Sequence, residues 1–113
     1  MKKLRQIEFF NKYFIEFYLS LPLGVQTKYE YVFVVIKQAD QIPKKFFKKI
    51  QGYQNLFEIR VEYQSNIYRT FCCLDGNSVV VLFNSFVKKT NKTPSSVLKR
   101  AEKIKNDYFN EKK

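Results

Sequence analysis

Two arginines on neighbouring predicted strands are the residues of this sequence best placed to do chemistry. Apolar and charged side chains alternate over 57–63, which predicts a half-buried strand, and 67–74 predicts a second one. If Gln64 and Ser65 form a two-residue hairpin loop, Arg60 lies directly opposite Arg69. Both guanidinium groups then share one face of the sheet, on the side away from the predicted core.

Like charges directly across a strand ladder repel, so this pair requires compensation. The flanking Glu58 and Glu62 could provide it, and so could a bound anion such as a phosphate. Lys88 and Lys89 end the third predicted strand and Lys92 precedes the last helix, so further cations should converge on the same face. The sequence therefore predicts a site for a polyanion.

Several kinds of catalytic site are excluded by composition. The sequence contains no His, and its only two cysteines, Cys72 and Cys73, are adjacent. Adjacent cysteines form a disulfide only with strain, and no metal-ligand spacing or Gly-rich phosphate loop occurs. We therefore expect reduced cysteines, no metal and no cofactor.

The net charge narrows the class of partner. Lys and Arg number 21 against 10 Asp and Glu, which gives a formal charge of +11. Such an excess favours nucleic acid or an anionic membrane surface. The longest strongly apolar run, Tyr31 to Ile36, is far shorter than the roughly 20 residues of a membrane span, and the start lacks the features of a signal peptide. We expect a cytoplasmic protein without a membrane partner.

The elements that position these residues predict a small single α+β domain. An N-terminal strand lies within Leu4–Phe10, and a helix hairpin over about 11–38 packs on an antiparallel meander over about 56–86. A C-terminal helix follows over about 94–109, with Pro22 and Pro94 expected at the first positions of their helices.

Strand parity predicts which side chains form the core under the helices. The predicted core face of the meander consists of Phe57, Ile59, Val61, Thr70, Cys72, Val79, Val81 and Phe83. Before the meander, four lysines interleave with two phenylalanines over 44–49. This pattern suits RNA or a membrane surface, but Phe46 and Phe47 are better read as apolar anchors of a connecting turn.

Several segments, in this order and spacing, resemble the phage-derived HigB-like branch of the RelE/ParE toxin superfamily. They are Phe17–Pro22, Ile42–Pro43, Leu56–Arg60, Ile67–Arg69, Phe86–Pro94 and a final helix containing Ala101. The resemblance covers most of the chain and implies the same strand, helix pair, meander and helix.

The resemblance implies the toxin of a type II toxin–antitoxin pair. RelE-like and HigB-like members cut mRNA on the ribosome without metal, using the RNA 2′-OH as nucleophile, whereas ParE-like members poison DNA gyrase. The implied partners are mRNA, the ribosome and a cognate antitoxin, which carries a helix-turn-helix and recognises operator DNA only as the complex. The alternative function is a non-catalytic basic binding module, including a gyrase poison or a nucleic-acid adaptor.

The resemblance assigns catalysis to Arg60, Arg69, Lys88 and Lys89. The arginines match its basic strand positions, and Lys88 or Lys89 matches the basic residue after the final strand. Without imidazole, we expect the arginines to hold the phosphate and a lysine crowded by cations to transfer the proton. RNA binding is predicted for Lys92, Lys48, Lys49 and Phe86.

Overall fold

The computed structural model describes residues 4–88 and 92–112 and shows the predicted α+β architecture. Amphipathic helices and alternating strands form where the periodicity indicates. In chain order the elements are β1 (Gln6–Phe9), α1 (Tyr13–Leu19), α2 (Leu23–Gln38), β2 (Phe47–Lys49), β3 (Phe57–Tyr63), β4 (Asn66–Asp75), β5 (Val79–Lys88) and α3 (Ser95–Glu111).

The sheet has five strands in the order β1-β5-β4-β3-β2. Strands β3, β4 and β5 form the predicted antiparallel meander, and β1 adds to β5 in parallel. Strand β2, which the sequence analysis treats as part of a connecting turn, pairs antiparallel with β3. Its three residues are too few to show a period of two, and they place Lys48 and Lys49 at a sheet edge.

Helices cover both faces of the sheet. Helices α1 and α2 pack on one face through a core that includes Phe14, Tyr29 and Ile36. Helix α3 packs on the other face through Ala101 and Ile104. The face expected to be open is therefore closed along the part that α3 covers.

The predicted core face is correct for β3 and β4 and wrong for β5. A three-residue loop joins β4 to β5, so Asp75 pairs with Val79 and Cys72 with Leu82. This shift by one residue moves Val80 and Leu82 to the α1/α2 face. It places Val81 and Phe83 against α3 instead.

Both helix-starting prolines lie one position earlier than predicted. Pro22 and Pro94 are the residues before α2 and α3, with φ of −58° and −60° and extended ψ of 150° and 143°. The carbonyl of Pro94 accepts from Val97 and Leu98, so the last helix starts directly beside Lys92 and Thr93. Within the two described ranges, no helix combines the length and the apolar character that crossing a bilayer requires.

Candidate nucleic-acid interface

Arg60 and Arg69 are direct partners across the β3–β4 ladder, as the sequence predicts. Tyr63 pairs with Asn66 around a two-residue loop, which sets the register. Gln64 takes a φ of +54° in that loop. Both arginines point to the sheet face that carries α3.

Two carboxylates compensate the arginine pair. The Arg69 guanidinium donates through Nη1 to Oε2 of Glu58 at 2.8 Å, and Arg60 Nε lies 3.7 Å from the same oxygen. Arg60 Nη2 lies 3.3 Å from Oε1 of Glu62. Of the possibilities that the sequence leaves open, the flanking glutamates are therefore the compensation present in the structure.

The two arginines differ in their access to solvent. The side chains of Arg69 and Glu58 are 3% and 6% exposed, which makes them a buried ion pair. The Arg60 side chain is 16% exposed and its partner Glu62 is 64% exposed. A ligand in solution can therefore reach the Arg60 guanidinium more easily than that of Arg69.

A cleft of about 420 Å³ lies over this pair, between the edge strand β2 and the start of α3. Its floor is formed by β3 and β4. It is lined by five cationic residues and one carboxylate, Lys48, Lys49, Arg60, Arg69, Lys92 and Glu58, together with Ile50, Gln51, Thr93 and Leu98. These charges leave the lining at a net +4, with three of the cations on exposed lysines.

Phe86 and Lys88 lie beside the cleft on the same face. Phe86 pairs with Arg69 across the β4–β5 ladder, and Lys88 pairs with Ile67. The Lys88 Nζ is 5.9 Å from the centre of the Phe86 ring. Phe86 is partly buried against the α3 core, and Lys89 lies outside the described residues.

Hydrogen bonds fix the loop between β2 and β3, which forms one wall of the cleft. The backbone N–H of Ile50 donates to the Leu56 carbonyl at 2.9 Å, and Lys49 Nζ donates to the Tyr53 carbonyl at 3.0 Å. Asn55, at a φ of +51°, bonds through its side chain to both the N–H and the carbonyl of Leu74. These contacts hold the lysines of β2 beside Arg60.

A buried lysine connects this loop to α3. Lys105 donates to the Gln54 carbonyl and lies 2.7 Å from Oε1 of Glu102. Only 7% of Lys105 is exposed, so the loop and the helix meet through a largely desolvated ammonium group. This contact is not evident from the sequence, because Lys105 occupies one position in a helix that carries several other lysines.

Cys72, Cys73 and Tyr108 are not activated nucleophiles of the cleft. Burial raises the pKa of Cys72 well above its usual value and that of Cys73 to about 12. The pKa of Tyr108 is raised to about 12, mainly by burial and secondly by its hydrogen bond to Asp75. The Tyr108 hydroxyl donates to Oδ2 of Asp75 at 2.6 Å, six residues along β4 from Arg69. Neither cysteine is therefore an activated thiolate. The Tyr108 hydroxyl is bonded to Asp75 at the end of β4 away from the arginine pair.

The family to which the chain belongs follows from comparison with family models. The model of the phage derived protein Gp49-like family (DUF891) matches residues 16–106, which is most of the 113-residue chain. The chain belongs to the Gp49-like family. This is a toxin-like family of the RelE type, compatible with the toxin of a toxin–antitoxin system. No curated protein matches the chain.

The Gp49-like match includes every residue that lines the cleft, from Lys48 to Leu98. Five of the predicted site residues line the cleft: Lys48, Lys49, Arg60, Arg69 and Lys92. Phe86 and Lys88 lie next to it. Sequence reasoning missed Lys28 and Tyr31 on α2, which line a neighbouring cleft. The sequence did carry a signal for Tyr31, because this residue falls outside the apolar stripe of α2 and is therefore expected at the surface.

Across the described ranges, His, Cys, Asp and Glu form no group of three that could hold a metal ion.

Proposed function

We propose that this Gp49-like protein is the toxin of a type II toxin–antitoxin system, of the HigB-like branch, and that it cuts mRNA on the ribosome. The observation that carries the proposal is the cleft in which four other cationic residues, Lys48, Lys49, Arg69 and Lys92, surround Arg60. A single-stranded RNA presents one phosphate per nucleotide, so a cluster of this kind suits a bent RNA backbone. The RelE-type family assignment supports the toxin part of the proposal.

Arg60 is the phosphate ligand in this mechanism. The attacking 2′-oxygen forms a bond to the adjacent phosphorus, negative charge accumulates on the non-bridging oxygens, and the bond to the 5′-oxygen breaks. A guanidinium fork can donate two hydrogen bonds to those oxygens. The Arg60 side chain is partly exposed, and the lysines of β2 stand beside it, so the developing charge meets fixed cations.

The buried Arg69 side chain acts through Glu58 and Arg60. It holds the buried Glu58 carboxylate, which also lies 3.7 Å from Arg60 Nε and therefore limits the positions of the Arg60 side chain. The sequence predicts that Arg69 holds the phosphate directly; because its side chain is buried, the role proposed here is to orient Arg60 and to add positive charge under the phosphate.

Two protons must move during the reaction. The 2′-hydroxyl loses one as it attacks, and the leaving 5′-oxygen gains one. With no imidazole in the sequence, lysine is the side chain proposed for proton transfer. Lys88, the last residue of β5, lies next to the cleft, and Lys89 is the next residue in the sequence but lies outside the described residues; both remain the candidates.

Purified protein added to translating ribosomes tests the function. We expect cleavage of the message to persist in EDTA and to leave a 2′,3′-cyclic phosphate. A message with a single 2′-deoxy nucleotide at the cut position should resist cleavage there, because it lacks the nucleophile. Absence of cleavage by folded protein would overturn the endonuclease proposal and leave a gyrase poison or a non-catalytic binding module.

The proposed partner is a small antitoxin. A net charge of +11 favours association with a partner of opposite charge, and the RelE-type family suggests an antitoxin. We expect the antitoxin to carry the helix-turn-helix that recognises operator DNA. Co-expression of the neighbouring small gene should relieve toxicity and yield a stable complex; growth arrest that no adjacent gene relieves would argue against this pairing.

A further inference from the structure

A second cleft lies beside the first, between α2 and the segment that leads into β2. It has a volume of about 300 Å³ and is lined by Lys28, Tyr31, Lys45, Phe46, Arg60 and Glu62. Three cations and one carboxylate give this lining a net charge of +2. The cleft combines positive charge with two aromatic rings, which distinguishes it from a purely electrostatic surface.

Arg60 belongs to the linings of both clefts. Its side chain on β3 therefore connects the cleft over the arginine pair to the cleft against α2. The cations of the two linings form a path from Lys92 at α3, past Arg60, to Lys28 on α2. A chain of phosphates that crosses Arg60 would meet a cation on either side.

Tyr31 is the aromatic side chain that the second cleft presents to solvent. It is 58% exposed, whereas the neighbouring Phe46 is only 8% exposed. The two rings meet edge to face, with centres 6.0 Å apart and an interplanar angle of 83°. Phe46, anchored in the core, therefore holds the tyrosine ring in a defined orientation.

The surroundings of Tyr31 favour a nucleobase over an apolar peptide side chain. Lys45 Nζ lies 5.0 Å from the centre of the Phe46 ring, and Lys28 is on the same helix as Tyr31. An exposed aromatic ring between cations is the arrangement with which proteins bind single strands, since each base stacks while its phosphate is neutralised.

We propose that the second cleft is a subsite for single-stranded RNA, in which a base flanking the cleaved position stacks on Tyr31 and its phosphate contacts Lys28 or Lys45. The identity of the RNA as substrate rests on the proposed function. The subsite itself requires only that the strand extends from Arg60 toward α2.

Fluorescence anisotropy with a labelled 2′-O-methyl RNA tests the subsite, because this RNA cannot supply the attacking hydroxyl. An oligomer of about eight nucleotides is long enough to reach across both clefts, whereas one of about three occupies mainly the more positively charged main cleft. Loss of one stacked base should weaken binding of the longer oligomer to Tyr31→Ala roughly 5- to 150-fold. Tyr31→Phe should bind like the wild type, since it keeps the ring.

Controls separate stacking from charge and from damage to the fold. Lys103→Gln, at a 78% exposed position on α3, should leave binding unchanged, whereas Lys28→Gln should weaken it. The shorter oligomer should lose little affinity to Tyr31→Ala. Each variant should show the melting temperature of the wild type, which is expected because Tyr31 is largely exposed.

Other results of these experiments would contradict either the subsite or the endonuclease proposal. Equal binding of the longer RNA by Tyr31→Ala overturns the subsite, and so does a Tyr31→Phe variant as weak as Tyr31→Ala. If Tyr31→Ala loses the antitoxin and keeps the RNA, the cleft is a protein-docking surface and the proposal is wrong. If the wild type cleaves no message but binds RNA through Tyr31, the endonuclease proposal fails and the subsite stands.

Discussion

Arg60 and Arg69 occupy equivalent positions in the sequence pattern, but their side chains differ in burial and in the groups they contact. Arg69 and Glu58 form a buried pair with a 2.8 Å hydrogen bond, while Arg60 is partly exposed and shared by two clefts. The sequence could place both on one face but could not assign their exposure. Exposure depends on how far α3 extends over the sheet.

Replacing Arg69 should primarily affect stability. Arg69→Ala leaves the Glu58 carboxylate buried without its closest donor, and we expect the free energy of unfolding to fall by about 3 kcal/mol. The double variant Arg69→Ala/Glu58→Gln should recover part of that loss, because it removes the uncompensated charge. Urea unfolding measures both values. A double variant no more stable than Arg69→Ala alone would contradict the buried ion pair.

Asp75 should make stability depend on pH in the acidic range. The hydrogen bond that its carboxylate accepts from Lys112, followed by the one from Tyr108, lowers the pKa of this carboxyl group below its usual value. Because the folded-state pKa is the lower one, the contribution is present above the unfolded pKa of about 4. It is lost as pH falls through the folded value. Urea unfolding from about pH 6 to 3 should therefore show a shallower loss for Asp75→Asn than for the wild type. Identical pH profiles would exclude this role.

At the element scale, the short strand β2 and the loop that follows it build one wall of the main cleft. Asn55 extends the sheet with a side chain, since its amide pairs with both backbone groups of Leu74. No periodic pattern marks such a contact, and a strand of three residues carries too little pattern to be recognised. For this reason the sequence predicted the lysines of β2 but not the strand that presents them.

Asn55→Ala should destabilise the fold at this loop. The substitution removes two hydrogen bonds, leaves the Leu74 groups partly buried without partners, and places Ala at a φ of +51°. We expect a loss of about 2 kcal/mol in the free energy of unfolding. Asn106→Ala, at an exposed position of α3, is the matched control and should be neutral. A loss no greater than that of the control would show that the loop does not depend on Asn55.

The register of the meander shows what a sequence determines and what it leaves open. The two-residue loop at Gln64 fixed the Arg60–Arg69 pairing, and that prediction is confirmed. The next loop, after Asp75, holds three residues, and the side chains of β5 face opposite to the prediction until the register shifts between Thr70 and Cys72. One residue of loop length decides a whole face, because successive side chains of a strand point to opposite faces of the sheet.

At the scale of the whole molecule, the excess positive charge is organised into connected clefts. The two linings share Arg60, and together they include exposed lysines from β2, from the segment that leads into β2 and from the segment before α3, with the half-buried Lys28 of α2. Composition alone predicted a polyanionic partner. The folded chain adds that seven of the 21 cationic residues line two adjoining clefts, an arrangement that suits a strand of RNA better than scattered charge does.

Lys92 should contribute to RNA binding through charge alone. It is exposed at the rim of the main cleft, so Lys92→Ala should weaken binding of single-stranded RNA without changing stability. The slope of log affinity against log salt concentration should decrease by roughly 0.7, the value for one lost phosphate contact. Lys103→Ala is the control. An unchanged slope for Lys92→Ala would remove this residue from the interface.

The central claim, that Arg60 stabilises the charge formed during RNA cleavage, is tested most directly by the single-turnover rate of message cleavage on ribosomes. Arg60→Ala should cut the message on the order of 10²–10³ times more slowly than the wild type at saturating protein, the usual cost of losing one preorganised charge-stabilising donor. Lys103→Ala should cleave at the wild-type rate. If Arg60→Ala is folded and cleaves as fast as the wild type, the cleft around Arg60 is not the site of the reaction.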